Sequence, residues 1–203
     1  MPSAAAIQRD LVRGCARLDA RGILAGAEGN LSVRLSAARI VVTPAGLTKG
    51  TLRTTDLVTV APDGKKLAGR HGASTELPMH LAIYAARADV RAVVHAHPRA
   101  ATAFALGGPG LPVGALAELD LVVGPVPVVP YAPPGSDALA KAVGTALCKG
   151  NAILLARHGA VTVGPTLESA IQRMESLEQS AQIVINAHIL GVQRRVSWEE
   201  GNG

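Results

Sequence analysis

The chain has 203 residues, 48% of them hydrophobic and only 2% aromatic, with a formal net charge of +5 at pH 7. This length suits one domain, which we expect to span residues 1–203 with a core of aliphatic side chains. The basic residues are scattered, and the densest group is QRRVSWEE at 193–200. That pattern argues against nucleic-acid binding and favours a small anionic substrate instead.

Targeting signals and membrane segments are not evident in the sequence. The first charged side chain is Arg9, which comes before an apolar signal region could form, and no apolar run is long enough to span a bilayer. The two cysteines, Cys15 and Cys148, fall in segments with helical periodicity and lack metal-type spacing. We therefore expect a cytoplasmic protein, with no membrane partner, in which both cysteines are small core residues.

The first third of the chain predicts one helix and an antiparallel start to a sheet. Apolar residues three and four apart predict an amphipathic helix over 3–20, ended by Gly22. Short alternating runs at 30–35 and 39–46 predict strands, and the Pro-Asp-Gly sequence within 57–69 predicts a hairpin.

The middle of the chain alternates helix and strand. Ser74 is the predicted N-cap of a helix that tolerates Pro78 in its first turn. The run AVVHAH at 92–97 predicts a strand, and residues 98–108 predict a short helix. A region rich in glycine and proline, 107–136, follows.

The last third predicts a helix over 136–150, two strands within 151–164 and the longest helix over 166–190. The two strands are broken at His158 and Gly159. Hairpins and interspersed helices together indicate an α/β protein with a largely antiparallel sheet and helices on its faces.

Three histidines suggest a metal site. Side chains alternate along a strand, so His95 and His97 point the same way and both rings could reach one ion. The alternative is a pair of hydrogen-bonded polar residues at a strand end. His158, also at the end of an apolar strand, favours the metal, because three neutral imidazoles with one open position are typical of catalytic zinc.

The remaining histidines have ordinary structural explanations. His71 lies in a loop, and His80 and His188 lie on predicted helices, where surface or core roles are usual. Glu76 would occupy the first turn of its helix, where a carboxylate either complements the helix dipole or serves the metal site as an acid/base. The sequence alone leaves both interpretations of Glu76 open.

Several motifs in order resemble the class II aldolase/adducin family, in its fuculose-phosphate aldolase-like branch, over roughly residues 5–190. The motifs are GNLSVRL, TPAGLTKG, STELPMHLAIYAARADVRAVVHAHP, VPYAPPGS and LLARHGAVTVG. The resemblance implies a three-layer α/β/α sandwich around a mainly antiparallel sheet. It also implies a homotetramer with sites at the subunit interfaces.

The resemblance further implies roles for individual residues. Zinc, with manganese or cobalt as alternatives, would be held by His95, His97 and His158. Glu76 would be the acid/base, and Tyr131 would help to complete the site of a neighbouring chain. The positions that match the family's phosphate-binding residues are Asn30, Gly46, Ser74 and Thr75.

Two positions and the lysines refine this picture. The family commonly carries a hydroxyl residue three before the asparagine, where this chain has Ala27, followed by Glu28. One phosphate donor is thus lost, which leaves the substrate's phosphorylation open. Lys49 and the other lysines have polar or loop-like surroundings in the sequence, so a lysine Schiff base is not expected.

The leading hypothesis is a zinc-dependent aldolase that cleaves a small ketose phosphate. It would yield a dihydroxyacetone-phosphate-like fragment and an aldehyde through a metal-stabilised enediolate. Alternatives within the family are a sugar-acid phosphate decarboxylase, a 4-epimerase and a dehydratase. A non-catalytic, adducin-like interaction module is the alternative from another class, and bound metal would separate it from an enzyme.

Overall fold

The structure, a computed structural model, describes residues 3–107, 110–112 and 114–192. The strands are β1 Asn30–Ser36, β2 Arg39–Val42, β3 Val58–Val60, β4 Lys66–Ala68, β5 Ala92–Ala96, β6 Val128–Val129, β7 Ala152–Leu155 and β8 Gly159–Gly164. The helices are α1 Ala4–Ala20, α2 Leu77–Ala86, α3 Arg99–Phe104, α4 Ala117–Val122, α5 Asp137–Ala146 and α6 Leu167–Ile189. The basic group at 193–200 lies outside the described residues, so a domain over 1–203 stays a prediction.

The eight strands form one sheet in the order β4-β3-β2-β1-β5-β8-β7-β6. Every neighbouring pair is antiparallel except β6 and β7. The mainly antiparallel sheet is therefore confirmed. Its centre is β5, which pairs with β1 from much earlier in the chain and with β8 from much later.

Helices cover both faces of the sheet. Neighbouring residues on β5 point to opposite faces, so Val94 joins a core cluster with α1, α3, α4 and α6, whereas Val93 joins a cluster with α2 and α5. Small residues let the helices approach closely: a Cβ added to Gly14 of α1 would lie 2.6 Å from Cδ1 of Ile171 on α6. This arrangement is the three-layer α/β/α sandwich that the resemblance implied.

Ser74 was the predicted N-cap of α2, and this prediction is wrong. The helix begins at Leu77 with Glu76 at the cap position, and the Ser74 hydroxyl accepts a hydrogen bond from the Glu76 backbone N–H. The backbone N–H of Ser74 instead donates to the carbonyl of Thr43. This tertiary hydrogen bond holds Ser74 outside the helix, so α2 begins at Leu77 and Glu76 precedes its first turn.

Cys148 was a predicted core residue on a helix, which is also wrong. Helix α5 ends at Ala146, and Cys148 is exposed, whereas Cys15 on α1 is buried as expected. The Arg87 guanidinium donates to the carbonyls of Leu147 and Gly150. These bonds satisfy backbone groups beyond the helix end, where the chain has already turned away from the core.

The region rich in glycine and proline contains α4 and β6, neither of which was predicted. Strand β6 is only two residues long and lies at the sheet edge, between Pro127 and Pro130. Proline lacks a backbone N–H and is tolerated at a sheet edge, which accounts for the weak strand signal. Among the described helices, none combines the length and hydropathy needed to cross a bilayer.

Candidate metal centre

His95 is fixed by the centre of the sheet. It lies opposite Asn30 of β1 and Val161 of β8, and it is fully buried. Its Nδ1 is 2.9 Å from the carbonyl oxygen of Ala160. Because a carbonyl oxygen only accepts, Nδ1 carries a proton, and Nε2 is the nitrogen that faces the cluster.

His97 lies one residue beyond the end of β5. Its Nδ1 is 3.0 Å from Oε2 of Glu28, and its Nε2 is 3.3 Å from Nε2 of His95. The Glu28 carboxylate can only accept, so Nδ1 of His97 is protonated and Nε2 is the lone-pair atom of the neutral ring. Two Nε2 atoms thus face each other at close range.

His158 comes from the tight turn between β7 and β8. The preceding residue, Arg157, has a φ of 58°, an uncommon value for a residue with a side chain. The His158 ring lies 4.8 Å from that of His95 and 5.0 Å from that of His97, centroid to centroid. One nitrogen from each ring falls within 4.8 Å of the others, so the structure brings the three imidazoles together.

Glu76 faces this cluster. Its Oε2 is 3.0 Å from Nε2 of His95, and its Oε1 is 3.3 Å from Nε2 of His158. Burial alone would raise the pKa of Glu76, but the hydrogen bond and charge of His95, with the amide of Asn30, lower this pKa to about 2. The group is therefore a carboxylate at neutral pH.

The donor set fits a divalent cation. Burial, followed by the nearby charge of His95, lowers the pKa of His158 to about 4 and lowers that of His97. Once Nε2 of His95 gives up the proton that it shares with Glu76, imidazole lone pairs and a carboxylate converge on one small space, where they repel one another unless a cation lies between them. Imidazole and carboxylate donors suit zinc, and manganese or cobalt less specifically.

Glu76 ends a buried chain of hydrogen bonds. Asn30 Nδ2 donates to Glu76 Oε2 at 3.0 Å, and Asn30 Oδ1 lies 2.5 Å from His80 Nε2. Nδ1 of His80 is 2.7 Å from the Ser32 hydroxyl, which is 2.8 Å from the Tyr84 hydroxyl. Burial lowers the pKa of His80 to about 3, so its ring is neutral.

Neutrality of the His80 ring fixes the direction of this chain. His80 Nε2–H donates to Asn30, its Nδ1 accepts from Ser32, and the Ser32 oxygen accepts from Tyr84. Each group donates one hydrogen bond to the next group in the direction of Glu76. The sequence analysis gave His80 no role beyond surface or core packing and missed the chain. The signal available in the sequence was the pair of polar residues Asn30 and Ser32 on one face of a strand. A second signal was His80 and Tyr84, one turn apart on a helix.

The predicted substrate residues fall in two groups. Pro44 bridges to Ala73, which sets the loop containing Gly46 beside the loop containing Ser74 and Thr75. Gly46 has a φ of 71° and is exposed, as is Thr75, whereas Ser74 is buried. The fourth residue, Asn30, has both ends of its amide engaged, with Glu76 and His80, as described above.

Tyr131 lies on the surface near the turn that carries His158. Half of it is exposed, and the Cζ atom of Arg157 lies 3.9 Å from the centroid of its ring. Arg157 directly precedes His158. The tyrosine therefore packs on the turn that carries the third imidazole and presents its remaining surface to solvent.

Lys49 was expected in a polar loop, and its surroundings are different. The side chain is buried, and its Nζ donates to the carbonyls of Ala27 and Leu47, each at 2.8 Å. Burial lowers the pKa of its ammonium group. The chain folds back here, since the Lys49 N–H also donates to the carbonyl of Gly26, so the lysine fastens the loop that precedes Asn30.

A cavity of about 480 Å³ lies elsewhere, between α1 and α6. None of the three clustered histidines or Glu76 lines it. One of its guanidinium groups, that of Arg17, is already paired with Glu168 and Glu175. The chemistry of this chain therefore concentrates at the histidine cluster and not at this cavity.

Comparison with known families shows the family to which the chain belongs. The profile of the Class II Aldolase and Adducin N-terminal domain matches residues 9–185. The chain belongs to the class II aldolase and adducin family.

Individual members of the family give a closer view. The chain is 35% identical to a 3-oxo-tetronate 4-phosphate decarboxylase from Haemophilus influenzae, over 80% of this chain and 79% of the relative. It is 34% identical to an L-fuculose phosphate aldolase from Methanococcus maripaludis, over 86% and 93%. The structure of YgbL from Klebsiella pneumoniae superposes with a TM-score of 0.89 at 30% identity, covering 97% and 94%. This class II aldolase and adducin family member thus belongs to an enzyme superfamily, in the fuculose-phosphate aldolase-like branch.

Proposed function

We propose that this protein is a metal-dependent lyase that cleaves a carbon–carbon bond in a small, phosphorylated ketose or sugar acid. His95, His97 and His158 would hold the cation, with zinc preferred. The observation that carries the proposal is the convergence of three imidazoles and the Glu76 carboxylate on one space.

A divalent cation held by His95, His97 and His158 would supply Lewis acidity to the carbonyl oxygen of the substrate. Glu76 moves the proton. As a carboxylate it would take a proton from the substrate carbon in the direction of synthesis. In the direction of cleavage, the proton that the substrate hydroxyl releases would return to that carbon through Glu76. Asn30 holds the Glu76 carboxylate in place, and the His80 chain fixes the orientation of the Asn30 amide.

The substrate phosphate would be bound by the two adjoining loops. Gly46 offers an open backbone, and Ser74 and Thr75 offer hydroxyl groups, whereas the Ser74 N–H is engaged with Thr43. Asn30 was also a candidate phosphate ligand, and its engagement with Glu76 and His80 favours the supporting role in this chain. The loss of a hydroxyl at Ala27 favours a phosphate held by fewer side chains.

Retro-aldol cleavage of a ketose phosphate is the first candidate reaction. Decarboxylation of a 3-oxo sugar-acid phosphate is the second, supported by the 35% identity to a decarboxylase. Both reactions break the bond between the α-carbon of a ketone and the carbon beyond it and leave an electron pair on that α-carbon, so the same cation and the same proton-transfer residue would serve either one.

We further propose that the active form is a homotetramer with sites between subunits. Support comes from Tyr131, which is half exposed beside the His158 turn and is therefore available to a neighbouring chain. There its hydroxyl would donate to the oxygen of the aldehyde that leaves or arrives.

The test is a substrate panel. Metal-loaded protein is incubated with ketose 1-phosphates and with 3-oxo sugar-acid 4-phosphates, while triose phosphate and CO2 are measured separately. Triose phosphate release supports the aldolase, and CO2 release alone supports the decarboxylase. Either activity should disappear in His95→Ala and fall strongly in Glu76→Gln. A pure protein that takes up no divalent metal would favour the non-catalytic, adducin-like module.

A further inference from the structure

We propose that Glu28 is a positioning residue for the metal centre, acting through the ring of His97. The proposal rests on the proposed metal centre and adds a residue to it. Glu28 stands immediately after Ala27, at the place where this chain departs from the family pattern. Its carboxylate would form a carboxylate–imidazole–metal arrangement, in which the acceptor fixes the ring and its protonated nitrogen.

The contact is specific in geometry. Oε2 of Glu28 is 3.0 Å from Nδ1 of His97, on the side of the ring away from the nitrogen that faces His95. A hydrogen bond at Nδ1 commits Nε2 to be the lone-pair atom. The carboxylate thereby selects the tautomer that can bind a cation in the shared space.

His97 needs such support more than His95 does. His95 lies within β5, is fully buried, and bonds to the backbone carbonyl of Ala160. His97 lies beyond the strand end, and 26% of its side chain is exposed. Without an acceptor at Nδ1, this ring could turn about its side-chain bonds or exchange tautomers.

The third ring has yet another setting. Nδ1 of His158 is buried and has no hydrogen-bond partner among the described residues. The outward nitrogen of His95 thus has a backbone carbonyl as acceptor, and that of His97 has a carboxylate. That of His158 has no acceptor among the described residues. Among the described residues, Glu28 is therefore the only acidic side chain that accepts a hydrogen bond from the outward-facing nitrogen of one of these three rings.

The backbone holds Glu28 in position from both sides. On one side, the carbonyl of Ala27 accepts from the buried ammonium of Lys49. On the other side, Gly29 has a φ of 70° and packs so closely on β5 that an added Cβ would lie 2.7 Å from the carbonyl oxygen of His95. The side chain of Glu28 is 60% exposed, but its backbone is anchored to the strand that carries the rings.

The experiment measures metal affinity and needs no substrate. The Kd for Zn²⁺ is determined by competition with a chromophoric chelator for the wild type, Glu28→Ala and Glu28→Gln. Glu118→Ala, at an exposed glutamate of α4, is the matched control. Removing a carboxylate that hydrogen-bonds a metal-ligating histidine weakens the affinity for the metal by about 10- to 100-fold, and we expect this range for Glu28→Ala. The amide oxygen of Glu28→Gln can still accept from Nδ1, so a loss of less than about 10-fold is expected there.

The outcomes separate this proposal from the proposed function. A wild type that binds no metal overturns the metal centre itself. A wild type that binds metal, with Glu28→Ala equal to the Glu118→Ala control, overturns only the role of Glu28. Circular dichroism of the metal-free variants checks folding, and Glu28→Gln supplies the comparison if Glu28→Ala does not fold.

Cobalt spectra provide a second readout. At saturating Co²⁺, a positioning residue leaves the ligand set unchanged, so the visible absorption bands of Glu28→Gln should match those of the wild type. A changed band envelope would make Glu28 a direct ligand and contradict the positioning role.

Discussion

Gly159 lies directly against the ring of His97. A Cβ built on Gly159 would be 2.6 Å from Cδ2 of His97 and 2.5 Å from the carbonyl oxygen of Ala96. Any other residue here would push β5 and β8 apart or displace the imidazole. The glycine that follows His158 therefore also makes room for the second ring of the cluster.

Gly159→Ala should consequently damage the metal site and the fold together. We expect the free energy of unfolding to fall by about 1–3 kcal/mol, because the added methyl group overpacks a rigid contact. We also expect weaker Zn²⁺ binding, measured by chelator competition. Gly72→Ala is the control, since an added Cβ there meets nothing within 4 Å. Equal behaviour of the two variants would contradict the close packing of Gly159 on His97.

Asn30→Asp should remove the donor that holds Glu76. The new carboxylate would face the Glu76 carboxylate at the 3.0 Å contact now made by the amide. Two buried anions repel each other, so we expect a loss of about 2–4 kcal/mol in the free energy of unfolding of the metal-free protein. Urea unfolding measures this loss, and the surface change Asn186→Asp should stay within about 0.5 kcal/mol. A fully stable Asn30→Asp protein would refute the contact.

His80 should make the metal-free protein less stable in mild acid. Its pKa is about 3 in the fold against an ordinary 6.5, so below pH 6.5 the unfolded chain binds a proton that the folded chain refuses. The contribution to the free energy of unfolding then falls by up to about 1.4 kcal/mol per pH unit until the pH nears the folded value.

His80→Asn isolates this effect. At pH 8 the variant should be less stable than the wild type by about 1–3 kcal/mol, because hydrogen bonds to Ser32 and Asn30 are lost. The difference should shrink as the pH falls from 6.5 to 5, since only the wild type carries the histidine penalty. Parallel stability curves from urea titrations across this range would show that the His80 ring is not held neutral.

Lys49→Met should loosen the loop that precedes Asn30. The carbonyls of Ala27 and Leu47 would lose their ammonium donor, which we expect to cost about 1–3 kcal/mol in the free energy of unfolding. Because Ala27 leads into Glu28, Zn²⁺ affinity should also decrease. Lys65→Met, at an exposed lysine, is the control. If both lysine variants keep wild-type stability and affinity, the buried lysine does not fasten the loop.

Local periodicity was sufficient to predict much of the fold. The long helix at the end, the strand that carries His95 and the break at His158 and Gly159 follow from the spacing of apolar residues and from glycine. Helix starts were less predictable: Ser74 has the chemistry of a cap, but a hydrogen bond to Thr43, a tertiary contact, holds it outside the helix.

The supports of the candidate site were not predictable for the same reason. Glu28 and His97 are 69 residues apart, and Asn30 and His80 are 50 apart. The pairing of β1 with β5 brings Glu28 to His97, and the packing of α2 on the sheet brings His80 to Asn30. No periodicity encodes which elements become neighbours. Lys49 was misjudged because its local sequence is polar, whereas the burial comes from the fold of the loop around it.

The strand that carries His95 is wholly buried, whereas Gly46 and Thr75 lie on exposed loops at the same end of the sheet. Under the proposed function, reactivity and selectivity are therefore encoded by separate parts of the chain. Loop exchange within 45–48 or 72–75 could therefore retarget the protein to a new phosphorylated compound while the cation-binding framework is inherited intact. Laboratory evolution should begin at those exposed positions.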